Sequence, residues 1–207
     1  FLYDLASKTT KNLCKPEGYV NPETDCTKSL RNQAVNHQEG DMNVGYDVNP
    51  SFSPDGKYIA WQSMKNDGYE SDRNRLCVYE FATGKKTYVT EKFDSNVDNF
   101  VWAPNSKDLY FVGCWHATIN AYQTNLKGEV KQLTEGQHNY VSIDLLGNSG
   151  KKLLALRQSM SQANEIFAIT PAKKEKASTQ TQLSFENKHI YDQLALGEVH
   201  DRWVKTT

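Results

Sequence analysis

The sequence predicts an all-β chain of four-stranded antiparallel blades, an incomplete β-propeller, on three observations. A hairpin signature, Phe52-Ser53-Pro54-Asp55-Gly56-Lys57 running into Tyr58-Ile59-Ala60-Trp61, opens one unit. It recurs at Phe100 to Phe111, with Pro54 and Pro104, Lys57 and Lys107, and Trp61 and Phe111 each 50 residues apart. A closing strand recurs too, with Gly84 and Gly128, and Thr90 and Thr134, each 44 residues apart. A period of about 40–50 residues holding four short strands is that of a propeller blade, whose sheet faces are covered by neighbouring blades.

Taken in order, Phe1 to Leu13 alternate apolar and polar positions around a Ser7-Lys8-Thr9-Thr10 turn. Phe1-Leu2-Tyr3-Asp4-Leu5 matches the Tyr79-Glu80-Phe81 strand, which makes this stretch the tail of a further blade. From about 14 to 45 periodicity is poor and turn formers are frequent, predicting an insertion with a short helix near Thr27 to Val35. In the hairpin signature Pro54 presets φ, Asp55 bonds its own backbone and Gly56 accepts positive φ, so Phe52 ends one strand and Tyr58 starts the next. Ile59 and Trp61 then face one way and Tyr58 and Ala60 the other, as in a strand covered on both sides.

A polar loop follows from Lys65 to Arg75, then a strand at Leu76–Phe81, a turn at Ala82–Lys85 and a closing strand at Thr87–Thr90. The second unit repeats this scheme. In a fainter third copy, Gly150 lies 44 residues after Ser106 and Leu153 lies 44 after Leu109. Its later strands are Glu165–Ile169 and Thr181–Ser184, separated by a Lys-rich turn at 173–176. Residues 1–196 are thus about three blades plus a remnant, and 197–207 are a passage beyond them.

The 207 residues are 38% hydrophobic and 11% aromatic with a net charge of −1, an ordinary globular composition. No basic stripe marks a nucleic-acid partner, and no apolar run approaches the ~20 residues of a spanning helix. None of the four cysteines forms a C-x-x-C pair, which argues against a zinc ribbon or a thioredoxin-type site. Cys14 and Cys26 bracket a loop that a disulfide could close in an oxidising compartment, whereas Cys77 and Cys114 read as small hydrophobes in strands. Cys114 with His116 leaves a structural metal site two ligands short, and no cofactor is expected.

The blade pattern of Phe52 to Trp61, closed by Tyr-x-x-x-x-Gly-Lys and Leu-Thr, resembles the repeats of TolB-like propellers and of the prolyl oligopeptidase family. The loop Asn66 to Leu76 and the end Leu196 to Thr207 look like those of the bacterial dipeptidyl peptidases in that family. The resemblance implies a peptidase whose Ser-Asp-His triad and G-x-S-x-G elbow belong to a separate α/β-hydrolase domain. This chain has no G-x-S-x-G; Gly147-Asn148-Ser149-Gly150 is the nearest match, and it occupies the blade turn. The expectation is a catalytically silent propeller portion of an exported, periplasmic-type enzyme, gating peptide substrates for that hydrolase domain. A TolB-like protein-binding scaffold is the alternative.

Glu70, Asp72 and Arg73 are the candidate substrate-binding residues. In the family, propeller carboxylates hold the free amino terminus of the substrate, since a buried ammonium needs a charge-assisted partner. The best-known branch uses two adjacent glutamates, and this sequence has no Glu-Glu pair. The loop therefore reads either as an amine anchor or as a salt-bridged or solvated structural loop. Trp61, Trp102 and Phe111 are expected in the core, and Trp203 in the linker to the hydrolase or in the hydrolase's first strand. An open part-propeller leaves sheet faces uncovered, so the fragment is expected to self-associate or to be marginally stable.

Overall fold

Each blade turn is built from the chemistry its sequence advertises. A computed structural model describes residues 1–14, 45–65, 72–147, 149–172 and 178–206; the expected 27–35 helix and the Lys-rich turn lie outside them. In the first blade turn the Gly56 amide donates to the Ser53 carbonyl at 2.9 Å, and the Ser53 amide to Tyr58 at 2.9 Å. In the second, Ser106 donates to Ala103 at 3.0 Å and Ala103 to Asp108 at 2.9 Å. Gly56, Ser106 and Gly150 share the left-handed conformation, with φ of 69°, 55° and 63°. At Gly150 a Cβ would also lie 2.6 Å from the Pro104 ring, so that position needs glycine twice over.

The chain divides into two units, Phe1–Val97 with Leu126–Glu129, and Asp98–Asn125 with Val130–Thr207. In the first, β1 (Leu2–Asp4) and β2 (Thr9–Lys11) form a hairpin whose turn, ending at Lys8 with φ 56°, comes slightly earlier than the sequence suggests. A four-stranded antiparallel sheet follows in the order β3 (Asp47–Phe52), β4 (Tyr58–Ser63), β5 (Arg75–Glu80), β6 (Lys86–Tyr88). Leu13, Ile59, Trp61, Cys77 and Tyr79 make its core, with Leu2 and Cys14 packed against it. Trp61 Nε1 donates to Asp47 at 2.8 Å, and the Cys14 thiol bonds the same carboxylate. Burial first, and Asp47 second, push that thiol up to about 12.

In the second unit β7 (Asn99–Trp102), β8 (Asp108–Trp115), β9 (Thr118–Asn125) and β10 (Val130–Gln132) form one four-stranded group. Another contains β11 (Asn139–Leu145), β12 (Leu153–Ser159), β13 (Gln162–Thr170) and β14 (Thr179–Gln182). One parallel bridge, Asn139 to Ile119, joins them. Their facing sides share a core that includes Tyr110, Val112, Tyr140, Leu153, Phe167 and Ile169. Among the described residues the fold is nearly all β, and one helical turn, α1 (Lys188–Tyr191), follows the last strand. Tyr191 holds it there, its hydroxyl accepting the Ala163 amide at 2.7 Å.

The Thr or Ser just after each closing strand has a physical cause. In each four-stranded group, the amide of the third strand just beyond its ladder with the fourth donates to a hydroxyl two residues past the end of the fourth. These bonds are Leu76 to Thr90 at 2.8 Å, Ala121 to Thr134 at 2.9 Å and Ile166 to Ser184 at 2.8 Å. The residue before each hydroxyl returns the bond, with Val89 donating to Leu76 at 2.9 Å, Leu133 to Ala121 at 2.8 Å and Leu183 to Ile166 at 2.7 Å. A buried polar residue precedes the latched amide each time: Arg75, Asn120 and Glu165. Asn120 accepts the Thr134 hydroxyl at 2.9 Å, and Glu165 accepts that of Ser184. One hydroxyl, buried at Thr90 and Thr134 and half-buried at Ser184, thus satisfies the amide where the ladder to the fourth strand has run out.

Candidate functional site

The loop that the sequence singles out is closed by its own acid. Asp72 accepts the Lys65 amide at 3.0 Å on one oxygen and the Arg73 amide at 2.9 Å on the other, tying the two ends of the β4–β5 loop together. Glu70 lies outside the described residues. Arg73 turns toward the segment after β6: it donates to the carbonyls of Phe93 at 2.7 Å and Glu91 at 3.1 Å, with the carboxylates of Glu91 and Asp94 each at 3.8 Å. Arg75, on β5, bonds Glu91 at 3.1 Å and stacks over Tyr88 at 4.0 Å. The Asn74 amide donates to Asn96 at 2.8 Å and the Val97 amide to the Asn74 carbonyl at 2.9 Å.

These contacts hold residues 72–75 and 91–97 as one rigid rim. Arg73 is engaged with backbone carbonyls, whose bonds to a charged donor are worth about 1.5–3 kcal/mol each, more than its exposed ion pairs at about 0–1 kcal/mol. The arrangement brings Asp72 and Arg73 together at the loop neck. Cys26, the other half of the expected disulfide, also lies outside the described residues.

A second place was only partly visible in the sequence. The β8–β9 hairpin turns at His116 and Ala117, both left-handed with φ of 51° and 62°. Neither is a usual turn former, so the strand continuing to Thr118–Asn125 had no local signal. Trp115 stacks on His116 at 4.5 Å, and Trp203 meets the same imidazole edge-on at 5.2 Å. With Glu135 and Asp201 they line a groove of about 760 Å³. The 87-position separation of His116 and Trp203 explains why spacing could not pair them. Cys114 is a half-buried free thiol near the end of β8, and among the described residues no group of three His, Cys, Asp or Glu could hold a metal ion. No helix among them is long and apolar enough to cross a membrane.

A third cluster sits at the start of β11. His138 packs edge-on against Tyr140 at 4.9 Å, and its Nε2 is buried without a hydrogen-bond partner. Tyr140 and Arg157 both donate to the Gln180 side-chain oxygen, at 2.5 and 3.2 Å, and Arg157 lies 3.5 Å over Phe167. Burial first, then the Arg157 charge, lower the imidazole from 6.5 to about 4. The folded state thus binds this proton less readily than the unfolded chain. The contribution is full above 6.5 and is lost as pH falls from 6.5 to about 4. Urea midpoints across that window should fall less in His138→Gln than in the parent chain; identical slopes would count against it.

Two curated relatives, both dipeptidyl-peptidase 5, are similar in sequence. That of Porphyromonas gingivalis is 43% identical over 83% of this chain and 24% of its own length. That of Porphyromonas endodontalis is 42% identical over 100% of this chain and 25% of its own length. The chain therefore spans about a quarter of the relatives it matches. No family model matches. Among solved structures, a puromycin-hydrolysing peptidase of Mycobacterium tuberculosis aligns with a TM-score of 0.55 at 16% identity, over 70% of this chain and 23% of that one. An acylaminoacyl peptidase of Pyrococcus horikoshii aligns at 0.51 and 18%, over 68% and 20%. At such identities the likeness is one of fold.

Proposed function

We propose that this chain, which belongs to the prolyl oligopeptidase family as a partial propeller like that of its bacterial dipeptidyl peptidases, gates and positions peptides for a serine hydrolase domain elsewhere in the parent protein. The sequence match to two dipeptidyl-peptidase 5 proteins across nearly the whole chain is the observation that carries this reading. The blades restrict access and present substrate contacts. The nucleophile and oxyanion hole belong to the hydrolase domain. Residues 197–207 are the passage toward it. The parent enzyme is exported and acts on peptides in the periplasm or beyond it. The isolated chain self-associates through sheet faces that a complete ring would cover.

In this reading the loop between Lys65 and Asp72 carries a substrate contact, with Glu70 holding the free amino terminus of a dipeptide unit. Asp72 and Arg73 position that loop. The test is a peptidase assay of the full-length parent with free-amino and N-blocked dipeptide substrates. Cleavage of the free-amino form is expected, with Glu70→Ala raising its KM by about tenfold, or ~1.4 kcal/mol, and leaving the blocked form nearly unchanged. Equal losses on both would remove Glu70 from the amine contact, and no cleavage of either would overturn the peptidase reading.

A further inference from the structure

The groove beside the β8–β9 turn has chemistry that none of these roles uses. It combines the faces of two exposed tryptophans and an imidazole with two carboxylates. No ion pair engages Glu135 or Asp201 among the described residues. Arg202 is the one cationic side chain in the lining, and it donates to the carbonyl of Asp201 at 3.2 Å. Aromatic faces attract cations through the ring quadrupole, and nearby carboxylates add direct charge complementarity.

We propose that this groove is a subsite for the basic side chains of peptides, taking a lysine ammonium or an arginine guanidinium against Trp115 and Trp203 with Glu135 and Asp201 as counter-charges. It rests on the peptide-handling role proposed above and adds a preference to it. The shape favours a side chain over an α-amino group. A long aliphatic stem lies flat along ring faces while its charged end reaches a carboxylate, and guanidinium also stacks on such rings. An α-ammonium has no stem, and an open groove of about 760 Å³ gives it no enclosure.

The chain carries its own reporter. Of its four tryptophans, Trp61 and Trp102 are 5% and 3% exposed, whereas Trp115 and Trp203 are 42% and 79% exposed. The test titrates the 207-residue chain with Nα-acetylated, C-amidated lysyl and arginyl tripeptides, with the acidic equivalents, and with free-amino trialanine, following tryptophan emission. Saturable change with the basic peptides, weakened by salt, is expected. Trp115→Ala, and Glu135→Gln combined with Asp201→Asn, should each weaken it about tenfold. Trp203→Ala lies on an exposed tail and is a second variant whose fold is not at risk, checked by circular dichroism. An equal response to acidic peptides, a response to trialanine alone, or none from the folded chain would each overturn the proposal. Binding is read without a hydrolase domain, so a parent enzyme that cleaves no dipeptide would sink the peptidase reading and leave this result separate.

Discussion

Phe111→Ala is expected to lower the unfolding free energy of this chain by about 3–5 kcal/mol. Phe111 is fully buried on β8, opposite Phe100 on one side and Tyr122 on the other. It stacks on Tyr122 with ring centroids 5.3 Å apart and planes 18° apart. Removing the ring leaves a cavity between three strands whose backbones are hydrogen-bonded and cannot close over it. The aromatic pair adds about 0.5–1.5 kcal/mol beyond burial, which Phe111→Leu would lose while keeping most of the volume. Denaturant unfolding should therefore rank the variants Ala well below Leu, and Leu below the parent. An Ala variant as stable as the Leu variant would show that the site collapses freely.

The second large effect is expected at Thr134. Thr134→Val keeps the shape and removes the oxygen that accepts the Ala121 amide and donates to Asn120. All three residues are buried, so the amide is left without an acceptor at a cost of about 1–3 kcal/mol. Thr134→Ser retains the hydroxyl and should recover most of the loss. Amide exchange localises the effect: Ala121 should exchange faster in the Val variant and at the parental rate in the Ser variant. Uniform acceleration across the second unit would instead indicate general loosening.

The blade turns were legible because their causes are local. Pro54-Asp55-Gly56 carries a fixed φ, a side chain that bonds its own loop and a residue free to be left-handed, and the same geometry appears at Ser106 and Gly150. The alternation of Tyr58 to Trp61 announced a strand covered on both faces, and Ile59, Ala60 and Trp61 are buried. The turn at His116–Ala117 escaped because neither residue prefers positive φ; two long hydrogen-bonded strands impose it. Buried Arg75 and Glu165 escaped for a similar reason. Charged residues read as surface until Glu91 and Tyr88, or Ser184 and Asn187, are in place around them. Hydrogen bonds, the one from Ser184 foremost, then hold the Glu165 carboxyl below the usual carboxylate range.

By itself the sequence determined the repeat, the strand and turn chemistry, the all-β class and the Asp72–Arg73 loop, since each is written in contiguous residues or at a constant period. Tertiary structure alone decided that a terminal Thr or Ser latches the neighbouring strand, that Arg73 faces the segment after β6, and that Trp203 meets His116. Those contacts join residues from 13 to 87 positions apart. Local propensity does not encode such pairings; they follow from burial and hydrogen-bond satisfaction once the strands have found their register.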